Sequence, residues 1–137
     1  MIKAIIFDWG GVIIEEPSAM INSYCAKMLG VTVEAFLEIR HEHMPNFQRG
    51  HISEELFWQR ICNSLGVGLP PVSSLWGDVF KNAYRHQEET IALAKNLKQQ
   101  GYRLGFLSTT EMPAVEHFYN QRYDFFDAAV FLALKGA

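Results

Sequence analysis

Two short stretches carry residue types suited to chemistry on phosphate. Asp8-Trp9-Gly10-Gly11-Val12 closes one apolar run, and Ser108-Thr109-Thr110 closes another. An acid at a strand end, followed by two glycines, sets a carboxylate beside exposed backbone N–H groups. Such amides cradle phosphoryl oxygens, and the carboxylate can attack phosphorus or hold a divalent cation. A hydroxyl at the end of a neighbouring strand adds one more donor. The plainer alternatives stand beside these: Asp8 as a turn former, Ser108 and Thr109 as loop or capping residues.

The elements that must position these groups follow from the hydrophobic pattern. Ile2 to Phe7 is nearly continuous in apolar character, as in a strand of a parallel sheet covered on both faces. Val12-Ile13-Ile14 reads as extended for a few residues more. From Ser18 to Tyr84 the chain reads as helical. Gly30 and Gly66 are placed as C-terminal caps, Thr32 and Ser53 as N-terminal caps, and Leu69-Pro70-Pro71 as a stiff connector. A further helix from about Gln87 to Gly101 precedes a strand at Tyr102 to Leu107. A helix capped by Thr110 and a third strand from Ala128 to Leu134 follow. The segment between the first two strands is too long for a simple crossover, whose whole unit takes about 30 residues. The expected organisation is an α/β core at 1–14 and 86–137, with a separate helical module at 15–85. Ligands of open α/β sheets bind outside the carboxyl ends of the strands, where Asp8 and Ser108 both fall.

Composition narrows the partners. In 137 residues, 12 Lys and Arg face 15 Asp and Glu, a net charge of −3, which leaves no basic excess for nucleic acid. The apolar start stops at Asp8, too soon for a signal core or a membrane span, and Cys25 and Cys62 read as buried thiols of a reducing compartment. A cytoplasmic protein is expected. His41 and His43 stand two apart and share no helix face, so no metal site is placed there. His51, His86 and His117 read as surface residues, Glu15-Glu16 as solvated charge, and Trp58 and Trp76 as core. Trp9 either flanks the pocket or packs on the helical module. If the strands run 1-2-3, right-handed crossovers put both connecting helices on one face. The other face is then bare although Ile2, Ile5, Phe7, Leu104, Phe106, Val130 and Leu132 offer no polar alternation. That face invites cover by further chain, a partner or a second copy.

The residues also resemble a known family. Ile5-Ile6-Phe7-Asp8-Trp9-Gly10-Gly11-Val12 is similar to the first motif of the haloacid dehalogenase-like (HAD) hydrolases, and Leu104-Gly105-Phe106-Leu107-Ser108-Thr109 to their second. Gln48-Arg49-Gly50-His51-Ile52-Ser53-Glu54-Glu55, followed by Phe57-Trp58, resembles a segment of their helical caps. The nearest likeness is to the Gly-rich branch that includes sugar-phosphate phosphatases. The resemblance implies a partial Rossmann-like α/β fold with an α-helical cap after the first strand. It implies Asp8 as nucleophile, Mg²⁺ held by the Asp8 carboxylate and the Gly10 carbonyl, and phosphate contacts from Ser108 and the backbone near Gly11 and Thr109. The substrate would be a small phosphorylated metabolite, with Phe47 to His51 closing over the site. Gly10 stands where the family usually carries a second acid, and Thr109 where Asn is commoner. The family's third motif, a Lys, and its fourth, an acidic pair, would lie beyond Ala137. Lys135 reads as a solvated chain end. The chain is therefore read as an N-terminal half with little turnover of its own. Two alternatives are kept: a degenerate binding or oligomerisation module, and a 2-haloacid dehalogenase.

Overall fold

The computed structural model describes residues 1–110 and 112–132. Strand β1 (Ala4–Phe7) is followed by four helices, α1 (Ser18–Leu29), α2 (Val33–Gln48), α3 (Glu54–Leu65) and α4 (Leu75–Ala83). Then come α5 (Glu88–Gln99), β2 (Arg103–Thr109), α6 (Met112–Asn120) and β3 (Ala128–Leu132). The three strands form one parallel sheet in the order β1-β2-β3, with Phe7 opposite Phe106 and Ser108 opposite Phe131. This is the α/β class expected. Lys135 lies outside the described residues.

Alternation along β2 separates the two faces of the sheet. Phe7, Leu104, Phe106 and Ser108 are buried on the face that packs against helices. On the other face Ile6 is 69% exposed, Val130 50% and Leu132 49%, with Leu107 also exposed. A bare face was expected, but its membership differs. Ile5, Phe7, Leu104 and Phe106 belong to the covered side, because the period of two along each strand sends Ile6 and Leu107 the other way. Ile2 lies before β1 and is exposed.

The four-helix insert has an aromatic core of its own. Phe36, Phe57, Trp76 and Phe80 are essentially inaccessible, and Phe47 stacks on Phe57 at 4.7 Å. Full burial of each such side chain contributes about 1.5–3 kcal/mol. Local signals begin and end the helices as the sequence suggests. Thr32 and Ser53 accept from the amides of Ala35 and Leu56, and Gly30 and Gly66 end α1 and α3 at φ 70° and 67°. Helix α2 runs further than its apolar pattern suggests, through Pro45 to Gln48, so Phe47 lies on a helix and not in a loop.

One half-buried carboxylate joins the starts of two of these helices. Glu54 accepts from the Trp58 indole at 3.1 Å, the Trp76 amide at 2.8 Å and the Ser74 hydroxyl at 2.8 Å. Ser74 in turn caps α4 by accepting from the Gly77 amide at 2.8 Å. A β-carbon on Gly77 would stand 2.9 Å from the Ser74 oxygen, so only glycine leaves that cap undisturbed. Hydrogen bonds to a charged acceptor are worth about 1.5–3 kcal/mol. Glu54→Ala is therefore expected to lower the unfolding free energy by about 2 kcal/mol, read from urea denaturation followed by tryptophan fluorescence. An unchanged midpoint would show that the other contacts hold the helices without it.

Candidate functional site

The turn after β1 is built on a single carbonyl. The Trp9 oxygen accepts from the amides of Val12, Ile13 and Ile14 at 3.0, 2.9 and 3.2 Å. Stretch 12–14 is thus a tight turn and not the extended continuation expected of it, and Ile13 and Ile14 are buried beneath it. Gly11 sits at φ +76°, a left-handed conformation that costs a residue with a β-carbon roughly 1–2 kcal/mol. A β-carbon on Gly10 would lie 3.4 Å from the Pro17 ring and 3.7 Å from Glu16 Oε2. The Glu16 carboxylate therefore stands over the glycine turn, where it also accepts from the Ser18 amide at 3.0 Å. That bonding to Ser18 holds its pKa below the usual carboxylate range.

Asp8 follows directly on β1, is exposed, and accepts from the Trp9 amide at 2.7 Å through Oδ1. Ser108 lies near the end of β2, two residues beyond the partner of Phe7. The parallel register thus puts Asp8 and Ser108 at the same carboxyl rim. Their surroundings differ. Ser108 is 7% exposed, the one buried polar side chain among the described residues, while Thr109 is exposed on the open face. Alternation along β2 sends the Thr109 side chain to the opposite face from that of Ser108.

A cleft of 730 Å³ adjoins this rim. The segment from Phe47 to Glu54 and helix α4 form one wall; α6 and Thr110, just after β2, form the other. The stretch expected to close over the site thus faces the strand ends across a cavity, but Asp8 and Ser108 are not among the residues that line it. Thr110 is a cleft residue, and α6 starts two positions later at Met112 with Pro113 in its first turn.

Sequence reasoning missed the histidines. His117 is not a surface residue. It is half-buried, stacked on Trp9 (6.1 Å, 22°) and packed against Phe80 at 5.5 Å and Tyr84 at 5.7 Å. Trp9 is itself buried, with edge contacts to Phe106 and Phe118, so it packs both on the core and on the end of the insert. His86 is also half-buried and shares a 2.7 Å hydrogen bond with the Tyr123 hydroxyl, whose pKa burial pushes up to about 12. No spacing signal marks either histidine, because their neighbours come from four different segments.

For a divalent cation the rim offers the Asp8 carboxylate and the Gly10 carbonyl. Among the described residues there is no cluster of three or more His, Cys, Asp or Glu side chains fit to hold a metal. Mg²⁺ keeps several waters and is commonly held by one or two carboxylates with substrate phosphate, so a single exposed carboxylate fits its minimum demand.

No family model and no curated protein matches the chain. Solved structures do. A HAD family enzyme of Bacteroides thetaiotaomicron, in complex with magnesium and inorganic phosphate, superposes with a TM-score of 0.67 at 19% identity, over 100% of this chain and 72% of that one. The fold is HAD-like. A predicted HAD-like hydrolase of Porphyromonas gingivalis gives 0.63 at 20% identity over 94% and 65% of the two chains. A HAD phosphatase of Thermococcus onnurineus gives 0.51 at 18% over 96% and 62%. Among the described residues, no helix is long and apolar enough to cross a membrane.

Burial, and then the facing His86 and Lys81, hold the His117 ring below its ordinary value near 6.5. The folded state thus favours the neutral ring, and the unfolded chain binds more protons in that window. Stability should be full above about pH 6.5 and fall as pH drops through the folded midpoint of His117. His117→Gln should flatten this part of the stability profile, measured by urea denaturation between pH 5 and 7.5. A variant profile as steep as the parent's would assign the slope to other groups.

Proposed function

We propose that the chain is part of a Mg²⁺-dependent phosphomonoester hydrolase that works through an aspartyl-phosphate. The observation that carries this reading is the placement of Asp8 and Ser108 at one carboxyl rim of adjacent parallel strands, beside the Gly10-Gly11 turn. Its support is the HAD-like fold, shared with an enzyme crystallised with magnesium and phosphate. In this reading residues 1–14 and 86–137 are the core, residues 15–85 the cap, and the substrate a small phosphorylated metabolite. The two buried, unpaired cysteines favour the cytoplasm.

An Asp8 carboxylate oxygen attacks phosphorus as the bond to the ester oxygen breaks, and the alcohol leaves with a proton taken from water. Water then cleaves the aspartyl-phosphate to return Asp8 and free phosphate. Ser108 and the amides near Gly11 and Thr109 hold the phosphoryl oxygens. The Asp8 carboxylate and the Gly10 carbonyl would hold Mg²⁺, which would offset the charge that otherwise keeps a carboxylate from a phosphate. Gly10 supplies no proton to the leaving group, so esters of acidic alcohols should be favoured.

Beryllofluoride, which mimics a phosphoryl group on a carboxylate, should bind one-to-one in the presence of Mg²⁺, as read by fluorine NMR. Asp8→Asn should abolish that binding, and Ser108→Ala should weaken it by about 10²–10³-fold if the hydroxyl serves as an oxyanion donor. Binding that ignores both Mg²⁺ and the Asp8 substitution would sink the reading. The dehalogenase alternative separates on EDTA, since carbon attack by Asp8 needs no metal.

The open sheet face favours a second reading, association with a second copy of the chain. Ile6, Leu107, Val130 and Leu132 form its apolar strip. Sedimentation should then show a dimer that Val130→Lys converts to monomer; a monomeric parent chain removes this reading and leaves the first intact.

A further inference from the structure

The insert and the core meet at a second, smaller cavity of 350 Å³ that the phosphoryl-transfer reading does not use. Its polar lining is Lys81 from α4, His86 from the segment entering α5, and His117, Asn120 and Gln121 from the end of α6. Ile14, Phe80 and Tyr84 supply its apolar part. None of these described lining residues is acidic, so two imidazoles and an ammonium face one space without a carboxylate among them. Lys81, His117 and Asn120 also border the larger cleft, which Glu54 and Glu116 line, so the two spaces share a wall; His86 and Gln121 belong to the smaller cavity and not to the larger.

The groups here are also organised. The Gln121 side-chain amide reaches His117 Nε2 at 3.3 Å, and the Tyr123 hydroxyl fixes His86 Nε2 at 2.7 Å. Both rings are thus oriented by partners outside the cavity's apolar wall. Aromatic packing of His117 on Trp9, Phe80 and Tyr84 keeps its plane in place. An ammonium, two imidazoles able to take up a proton, and side-chain amides around one space without a carboxylate complement an anion.

We propose that this cavity binds a small oxyanion, held by Lys81 and His117 with the Asn120 and Gln121 amides and His86 at its margin. The guest would carry a carboxylate, sulfate or phosphate group. Lys81 belongs to the insert and His117 to the core, so a bound anion ties the two together. The backbone bonds Glu15 N–H to Arg85 O and Gln87 N–H to Ile13 O, both 2.8 Å, join the two connecting segments beside it. Anion binding would therefore stiffen the junction about which the insert could move. This inference stands apart from catalysis at Asp8.

The probe is sodium sulfate, titrated into the full chain against sodium chloride of equal ionic strength, with histidine ring resonances followed by NMR. The His117 midpoint should rise by about one pH unit, as an opposite charge at close range favours the protonated ring. His86 should follow by less, and His41, which lines neither cavity, should not move. The melting temperature should rise in parallel. Lys81 is exposed, so Lys81→Gln should fold normally and lose the His117 response, while Lys81→Arg keeps it. Ser108→Ala should leave the response intact, which separates this cavity from the strand-end site. Equal shifts at all histidines, no shift at His117, or a response that survives Lys81→Gln but vanishes in Ser108→Ala would each overturn the proposal.

Discussion

Trp9 is the residue on which the arrangement of this molecule turns. Its carbonyl gathers three successive amides and so forces the chain to reverse immediately after Asp8. Its ring is buried between Phe106 and Phe118 of the core and Tyr84 at the end of the insert. A backbone acceptor and an aromatic side chain on the same residue therefore set two things together. The carboxylate before it is held at the strand end, and the helical insert is anchored against the sheet. Gly11 makes this geometry possible, because a β-carbon at that left-handed position would strain the turn.

The insert is held to the core by packing and to itself by one charged hub. Glu54 links the N-termini of α3 and α4, where helix dipoles also favour a carboxylate. Helix α4 then packs on α6, and the segments on either side of the insert pair with each other through Ile14 and His86. Such a layout makes a junction with two short crossings and a shared wall. It also explains why His117 is enclosed there: it packs against Phe80 and Tyr84 of the insert and Trp9 of the core.

The sheet spends its hydrophobicity unevenly. Phe7, Leu104 and Phe106 are covered, while Ile6, Leu107, Val130 and Leu132 remain in contact with water. Burying any one of the latter would contribute about 1.5–3 kcal/mol. This follows from topology, since two successive right-handed crossovers lay α5 and α6 on the same side. Ser108 gains from that asymmetry. It lies on the covered face and is shielded from solvent, in contrast to Asp8 at the same rim.

Much of this was legible in residue order because its causes are local. Strand-end motifs, glycine caps at Gly30 and Gly66, hydroxyl caps at Thr32 and Ser53, and the length of the insert all depend on neighbours within a few positions. Once the strands are taken in the order 1-2-3, the bare face followed from handedness, which needs no side-chain detail. What lay beyond reach depends on distant segments meeting. The turn at 12–14 was misread because an apolar triplet looks the same in a strand and in a buried turn. His86 and His117 passed as surface residues because their partners, Tyr123 in one case and Trp9, Phe80 and Tyr84 in the other, lie 30 or more positions away in the sequence. Local chemistry determined which residues could act; only the folded packing decided which of them share a cavity, since burial is a property of the assembled surfaces and not of any one stretch of chain.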